Sequence, residues 1–371
     1  MKKAIVSVIN DLSTDKRVNR TCITLTKLGF DVLLVGRKQR KSLPLNHREY
    51  STERMFLLFE KGFLFYAEYN FRLFLFLMFK KCDLLVSNDL DTLLPNYLVK
   101  KIRKKGLVYD SHEYYTGVPE LEGRPFVKKF WKHIEKWIFP NLSDIITVND
   151  SIAKLYHDEY GNEIKVVRNI PEVKAHIDFK SKNDLGIIEN KNIILLQGSG
   201  INVDRGAEEL VLAMQYVNEA VLYIIGGGDV IDILKQMVHE KNLEKKVFFI
   251  PRQPMEKLVQ YTVHADLGLT LDKNTNINYR YSLPNKLFDY IYAGVPVLAS
   301  PLVEVKKIIE QYKIGECIEN HEPKHIAEKI NGMLVNKEKL LRYKENCNIA
   351  KNKLNWELEE KVLKNVFEKY A

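Results

Sequence analysis

Short apolar runs alternate with stretches of helical spacing along the whole chain. Residues 4–9 form the first run. In residues 15–28 the apolar positions Val18, Cys22, Leu25 and Leu28 recur at helical spacing, and Gly29 supplies a stop. Further short strands are predicted at 31–35, 83–87, 107–109, 145–148 and 165–167. The runs are continuous rather than alternating, so each strand is covered on both faces, and strand–helix alternation makes the sheet parallel. The pattern restarts after residue 172, with strands predicted at 192–197, 221–225, 247–250, 267–271 and 297–299. The polar stretch 171–190 suits a linker. The expected architecture is therefore α/β: two doubly wound, Rossmann-like parallel-sheet domains of similar size, 1–172 and 173–354, facing a cleft.

Residues 63–79 (FLFYAEYNFRLFLFLMF) are very apolar and aromatic, but Glu68, Asn70 and Arg72 interrupt them. Only 73–79 run clean, well short of the roughly 20 apolar residues of a membrane span. The stretch is either a long helix buried against the first sheet or a helix with a face left out to dock on a bilayer. Basic runs at 100–105 and 128–137, the second interleaved with Trp and Phe, suit an anionic membrane interface and equally suit ordinary amphipathic helices.

Composition adds an asymmetry. The 371 residues, 46% hydrophobic and 28% charged, are ordinary for a folded protein and long enough for two domains. The net charge of +9 is uneven: residues 1–172 carry 29 Lys and Arg against 21 Asp and Glu, and residues 173–371 carry 28 against 27. The basic half either faces something anionic or is a solvated lysine-rich surface. Cys22, Cys82, Cys317 and Cys347 lie far apart with no CxxC, which points to reduced thiols rather than zinc. The opening MKKAIVSVIN has too short an apolar run for a signal peptide and reads as a strand.

The richest chemistry lies in 281–300, YSLPNKLFDYIYAGVPVLAS. Pro284 suits the first turn of a helix that stops at Gly294, with a buried strand at 295–299. Lys286 and Asp289, three apart, share a helix face. A helix N-terminus with a lysine binds phosphate, and a carboxylate one turn on accepts hydrogen bonds from ribose hydroxyls. The same spacing also makes a plain surface ion pair. In 195–206, LLQGSGINVDRG, a strand runs into a loop at Gly198 and Ser199, and Arg205-Gly206 opens a helix. Glycine lets a ligand approach the backbone, and arginine grips phosphate with two bonds. Gly226 and Gly228 in YIIGGGD look like a dinucleotide fingerprint, but Ile231 stands where its third glycine belongs. In 108–114, VYDSHEY, the residues Asp110, His112 and Glu113 follow the carboxyl end of a strand, where parallel sheets bind ligands. They suit acid–base work, orientation of hydroxyls, or capping of a turn. Thr14 or Asp15 caps the first helix, and Arg17 is placed toward the cleft. Neither GKS/GKT nor GxSxG occurs, which excludes a P-loop NTPase and a serine-hydrolase elbow.

Together DKRV (15–18), LGFDV (28–32), SNDLDTLLP (87–95), YDSHE (109–113), VVRNIP (166–171), QGSGINVDRG, YIIGGG, ADLGL (265–269) and SLPNKLFDYIYAGVPVLAS resemble the family-4 retaining glycosyltransferases of the GT-B fold. The resemblance covers nearly the whole chain. It implies a nucleotide-diphosphate sugar held by the C-terminal domain and an acceptor held by the N-terminal one. Arg205 and Lys286 match the basic pair on the donor diphosphate, His112 the histidine near the sugar, and Asp289 the ribose carboxylate. Ser282, Leu283 and Asn285 would meet the sugar, Arg252 would line the base, and Gly198, Ser199, Gly226 and Gly228 complete the donor side. Arg17, Asp110 and Glu113 fall on the acceptor side. The first carboxylate of the family's Glu-x7-Glu falls on Tyr281, and its usual loop arginine falls on Ser199, which shifts phosphate charge onto Arg205.

The resemblance further implies that no metal or cofactor is needed, because fixed cations stabilise the charge on the departing diphosphate. The string Asp89-Leu90-Asp91 lies in the acceptor half. Retention on one face of the sugar, with the leaving phosphate helping to deprotonate the acceptor, needs no protein nucleophile. A C-terminal helix, 355–371, would pack back on the N-terminal domain. The expected activity is transfer of a sugar to a glycan or lipid-linked acceptor in bacterial surface polysaccharide assembly. It would take place in the cytoplasm, with peripheral contact with an anionic membrane and no nucleic-acid partner. The alternatives are a non-hydrolysing nucleotide-sugar epimerase and an inactive sugar-nucleotide-binding subunit, the latter suggested by Tyr281.

Overall fold

The computed structural model describes residues 1–371 except 14, 41, 43, 46 and 173–177. The omitted set includes Thr14, one of the two expected helix caps, and five residues near the start of the polar stretch 171–190. The chain divides into two units, Met1–Asn169 with Glu357–Ala371, and Ile170–Trp356.

The first unit runs β1 (Lys3–Asp11), α1 (Lys16–Lys27), β2 (Asp31–Lys38), β3 (Ser51–Phe56), α2 (Gly62–Phe79), β4 (Leu84–Asn88), α3 (Leu90–Arg103), β5 (Gly106–Ser111), α4 (Pro125–Ile138), β6 (Ile145–Thr147), α5 (Asp150–Tyr160) and β7 (Ile164–Val166). Its sheet has the order β3-β2-β1-β4-β5-β6-β7, with every neighbouring pair parallel. The order reverses between β1 and β4, and ligands of such sheets bind at the carboxyl ends beside that switch. Asp15 caps α1 by accepting from the Val18 amide at 3.0 Å, and the helix stops where Gly29 takes φ +86°.

The second unit runs β8 (Asn192–Gly198), α6 (Ala207–Ala213), β9 (Ala220–Gly226), α7 (Ile231–Glu240), β10 (Val247–Pro251), α8 (Met255–Thr262), β11 (Leu267–Thr270), α9 (Ile277–Arg280), α10 (Asn285–Ala293), β12 (Val297–Ala299), α11 (Val303–Tyr312), β13 (Gly315–Cys317), α12 (Pro323–Val335) and α13 (Lys337–Ala350). Its parallel sheet has the order β10-β9-β8-β11-β12-β13, with the switch between β8 and β11. Pro284 is the residue before α10 rather than inside its first turn, and the strand expected from 295 begins at Val297.

The chain closes with α14 (Trp356–Phe367), whose residues from Glu357 on group with the first unit. Glu359 accepts from the Arg168 amide at 2.7 Å, and Glu360 accepts from Thr24 at 3.1 Å and Lys27 at 2.8 Å. Tyr370 donates to Asp144 at 2.6 Å. Its ring lies so close to Gly106 that a Cβ there would stand 2.6 Å away.

The aromatic segment 63–79 forms α2, which buries one stripe and leaves other apolar side chains exposed. One stripe, Phe65, Tyr69, Leu73 and Leu77, is buried, while Phe63, Leu64, Phe71, Leu75 and Phe79 are exposed. Among the described residues no helix is long and apolar enough to cross a membrane.

Candidate functional site

In the second unit two cations meet on one carboxylate at the switch between β8 and β11. Arg205 Nη1 lies 3.2 Å from Asp272 Oδ2, and Lys286 Nζ lies 3.7 Å from Asp272 Oδ1. Asp272 is fully buried, two residues beyond β11. The guanidinium of Arg205 also sits 4.3 Å above the ring of Tyr279, which α9 carries and Asn276 caps. Burial lowers the pKa of Lys286; Asp272 opposes that shift and Arg205 adds to it.

Several polar atoms here, apart from the ion-paired Asp272 carboxylate, are cut off from water and have no hydrogen-bond partner among the described residues: Arg205 Nε, Thr270 Oγ1 and Ser282 Oγ. Unspent hydrogen-bonding groups gathered in one place suit a polar ligand. Asp289, one turn along α10 from Lys286, accepts from Gln197 Nε2 at 3.1 Å, and Gln197 in turn accepts from Thr262 at 2.8 Å. Asp289 is thus held at a fixed angle. Leu283 packs against the core, whereas Ser199, Asn285 and Arg252 are exposed, Arg252 just past the edge strand β10.

In the first unit His112 follows β5. Its amide donates to Asp89 Oδ1 at 2.8 Å, its Nδ1 lies 3.3 Å from Asp89 Oδ2, and its Nε2 lies 3.3 Å from Asn88 Oδ1 and 3.7 Å from Asp110 Oδ2. Asp89 holds φ +58°, an unfavourable backbone for a side-chain-bearing residue. Tight bonding on both sides of a strained residue is common at working sites. Arg17 and Asp110, placed on the acceptor side from sequence, are spent on each other. The Arg17 Nη2 donates to Asp110 Oδ1 at 2.6 Å, Nε lies 3.2 and 3.1 Å from the two oxygens, and Nη1 donates to the Val167 carbonyl at 2.6 Å. Both are buried, so they fix His112 rather than offering a free face to an acceptor. The Glu113 side chain is exposed, and its carbonyl accepts from Ser111 and Tyr156.

Residues 178–348 match the family described as glycosyl transferases group 1, and residues 16–170 match glycosyltransferase family 4. The chain belongs to the group 1 glycosyltransferases. No curated protein sequence matches it. Among solved structures it is similar to sucrose-phosphate synthase from Thermosynechococcus elongatus, with TM-score 0.82, 16% identity, and 100% of this chain and 99% of that one covered. It is similar to Anabaena HepE in complex with UDP-glucose, with TM-score 0.74, 14% identity and 100% of each chain covered. It is also similar to WaaG, a glycosyltransferase involved in lipopolysaccharide biosynthesis, with TM-score 0.72, 14% identity, and 98% and 99% covered. At such identities these likenesses establish the GT-B fold.

In this transferase His112 is charged at neutral pH. Burial lowers its pKa, but Asp89 and Asp110 outweigh that and raise it from 6.5 to about 9. Burial alone would raise Asp110, yet Arg17 and His112 hold it well below the usual carboxylate range. With an acceptor oxygen facing each ring nitrogen, His112 supplies positive charge and is no base at pH 7. Because its folded pKa is raised, its contribution to stability is complete below about pH 6.5 and is lost as pH rises to about 9. Denaturant titrations should show the wild type losing about 2–3 kcal/mol across that window. His112→Asn should lack that slope, and an unchanged slope would sink the assignment.

Two glycines of the YIIGGG run owe their identity to backbone packing. Gly226 has φ +143°, and a Cβ there would stand 1.7 Å from the Gly198 carbonyl; at Gly228 it would stand 2.1 Å from the Ile201 carbonyl. The end of β9 therefore props the loop that leads to Arg205. Gly226→Ala should destabilise the protein by about 2 kcal/mol, read as a lower urea midpoint; an unchanged midpoint would show that the loop yields freely.

Asp272 and Tyr279 were not singled out from sequence. The one available signal was position: Asp272 lies just beyond the carboxyl end of a strand beside the switch.

Proposed function

We propose that this glycosyltransferase moves a sugar, with retention and without a metal, from a nucleotide-diphosphate sugar to a glycan or lipid-linked acceptor in bacterial surface polysaccharide assembly. The observation that carries the donor half is the meeting of Arg205 and Lys286 on buried Asp272, beside the unpaired Arg205 Nε and Ser282 Oγ. A single carboxylate opposes two cations there, which leaves positive charge for a diphosphate as it departs. Asp289, steadied by Gln197, is the ribose acceptor in this reading. The acceptor half rests on His112, whose charge favours contact with sugar hydroxyls or developing negative charge over proton abstraction. The family resemblance supports retention, and the leaving phosphate takes the acceptor proton.

UDP and UDP-glucose, bound by HepE, are the first donors to test. A thermal-shift panel of UDP, GDP and ADP with their sugars should pick out one base. A ligand that binds only the folded state raises stability by about 2.7 kcal/mol at a hundred times its Kd. No shift with any nucleotide would overturn the donor assignment. A nucleotide shift without sugar transfer or donor hydrolysis would favour the binding-subunit reading that Tyr281 suggests.

A further inference from the structure

We propose that the groove between α2, α3 and α4 seats the hydrocarbon chain of an anionic, single-chain lipid acceptor. The inference rests on the lipid-linked branch of the proposed function and names the place where that lipid would lie. The groove has a volume of about 310 Å³, and aromatic side chains dominate its walls: Phe63, Tyr66, Phe71 and Phe74 from α2, with Phe130 and Trp131 from α4. Leu94, Pro95 and Leu98 of α3 also line it. That is the size and chemistry of a small-ligand site.

Two of the lining residues are themselves well exposed, Phe63 at 70% and Phe71 at 64%, and Phe126, one turn before Phe130 on α4, is 88% exposed. Apolar surface of this extent next to a groove marks an interaction site. The groove also leads back to the chemistry of the same unit. Trp131 packs edge-on against Tyr66 at 5.4 Å and Tyr115 at 5.5 Å, just beyond His112 in sequence. Asn70 donates to the Asp91 carbonyl at 2.9 Å, two residues from the Asp89 that holds His112.

Charge selects the occupant. Arg124, Lys128 and Lys129, at and inside the start of α4, are exposed and have no ion pair among the described residues. Lys132, by contrast, is committed to Glu135 and Glu159. Cations on the turn of α4 that leads into the lining Phe130 and Trp131 complement a lipid with a phosphate head better than a neutral chain or an acidic peptide.

The test uses the full chain and farnesyl phosphate, kept below its micelle concentration, with binding read by calorimetry and tryptophan emission. Saturable one-to-one binding is expected. Ala67→Trp, at an exposed position of the groove wall, should weaken it about tenfold or more with an unchanged unfolding temperature. Lys128→Glu with Lys129→Glu should weaken it several-fold. Inorganic phosphate should neither bind nor compete.

Failure of monomeric farnesyl phosphate to bind would overturn the proposal. So would equal binding by Ala67→Trp, or full competition by inorganic phosphate, which would make the site a headgroup site alone. Equal flotation of wild type and Ala67→Trp on phosphatidylglycerol vesicles, without binding of the monomeric probe, would make the face a bilayer-docking surface and also overturn it. The nucleotide shift is measured on the same protein. A lipid signal without a nucleotide signal would sink the donor-site reading and leave the groove, and the reverse would do the opposite.

Discussion

Lys286→Ala is expected to slow sugar transfer about a hundredfold to a thousandfold, the usual cost of removing one fixed group from a site of developing charge. The loss has two parts. One cation disappears from the diphosphate subsite, and the remaining one, Arg205, is left alone with Asp272 at 3.2 Å. That pair neutralises itself, so little positive charge stays available for the leaving group. Arg205→Ala should cost a similar amount and also expose the face of Tyr279, on which the guanidinium rests. Lys286→Arg should recover part of the rate, because it restores charge but not the reach of the ammonium group. The readout is kcat and KM with the donor chosen by the thermal-shift panel. Both alanine variants turning over at the wild-type rate would remove Arg205 and Lys286 from the site.

The largest effect on stability is expected at Asp110→Ala, at about 3–5 kcal/mol. Asp110 is 1% exposed and Arg17 6%, so the variant would strand a guanidinium in the interior with the Val167 carbonyl as its remaining hydrogen-bond acceptor among the described residues. Coulomb attraction makes this pair, but desolvation sets the penalty for breaking it. Replacing both partners, Arg17→Met with Asp110→Leu, should therefore recover most of the loss, since no unpaired charge remains. A single-variant loss below about 1 kcal/mol would mean that water reaches the pair. Because Asp110 also faces His112 Nε2, the double variant should stay folded yet lower the His112 pKa, which NMR titration would read.

Most of both sheets was legible because buried parallel strands announce themselves as apolar runs. The two strands that escaped, β3 and β13, sit at sheet edges. β3 reads STERMF, with alternate residues turned to water, and β13 is three half-buried residues. Neither contains the continuous run that a doubly covered strand shows. Arg205 and Lys286, the cations that meet on Asp272, stood out in the sequence because their neighbours carry a pattern: Pro284 before a helix, Gly294 after it, Gly206 behind the arginine. Asp272 was not, because the reason for its position is three-dimensional. It is the point where the loop after β8 and the start of α10 converge, and no spacing in the chain displays that. The sequence places Arg17 toward the cleft, because nothing in DKRV shows that Asp110, far along the chain, pairs with it. The helix of residues 63–79 was legible as an element, but which stripe it buries depends on the partners across α3 and α4.

The return of residues 357–371 to the first unit sets an order of events during synthesis. The first sheet leaves the ribosome complete in its strands, yet the partners of Thr24, Lys27, Asp144 and the Arg168 amide are made last, after the entire second unit. Until then the ring that covers Gly106 is missing. The nascent first unit must wait in a partly open form, exposed to chaperones and proteases, while its neighbour folds as a continuous segment. A chain cut after residue 356 would remain in that waiting state, and its first unit would unfold before its second.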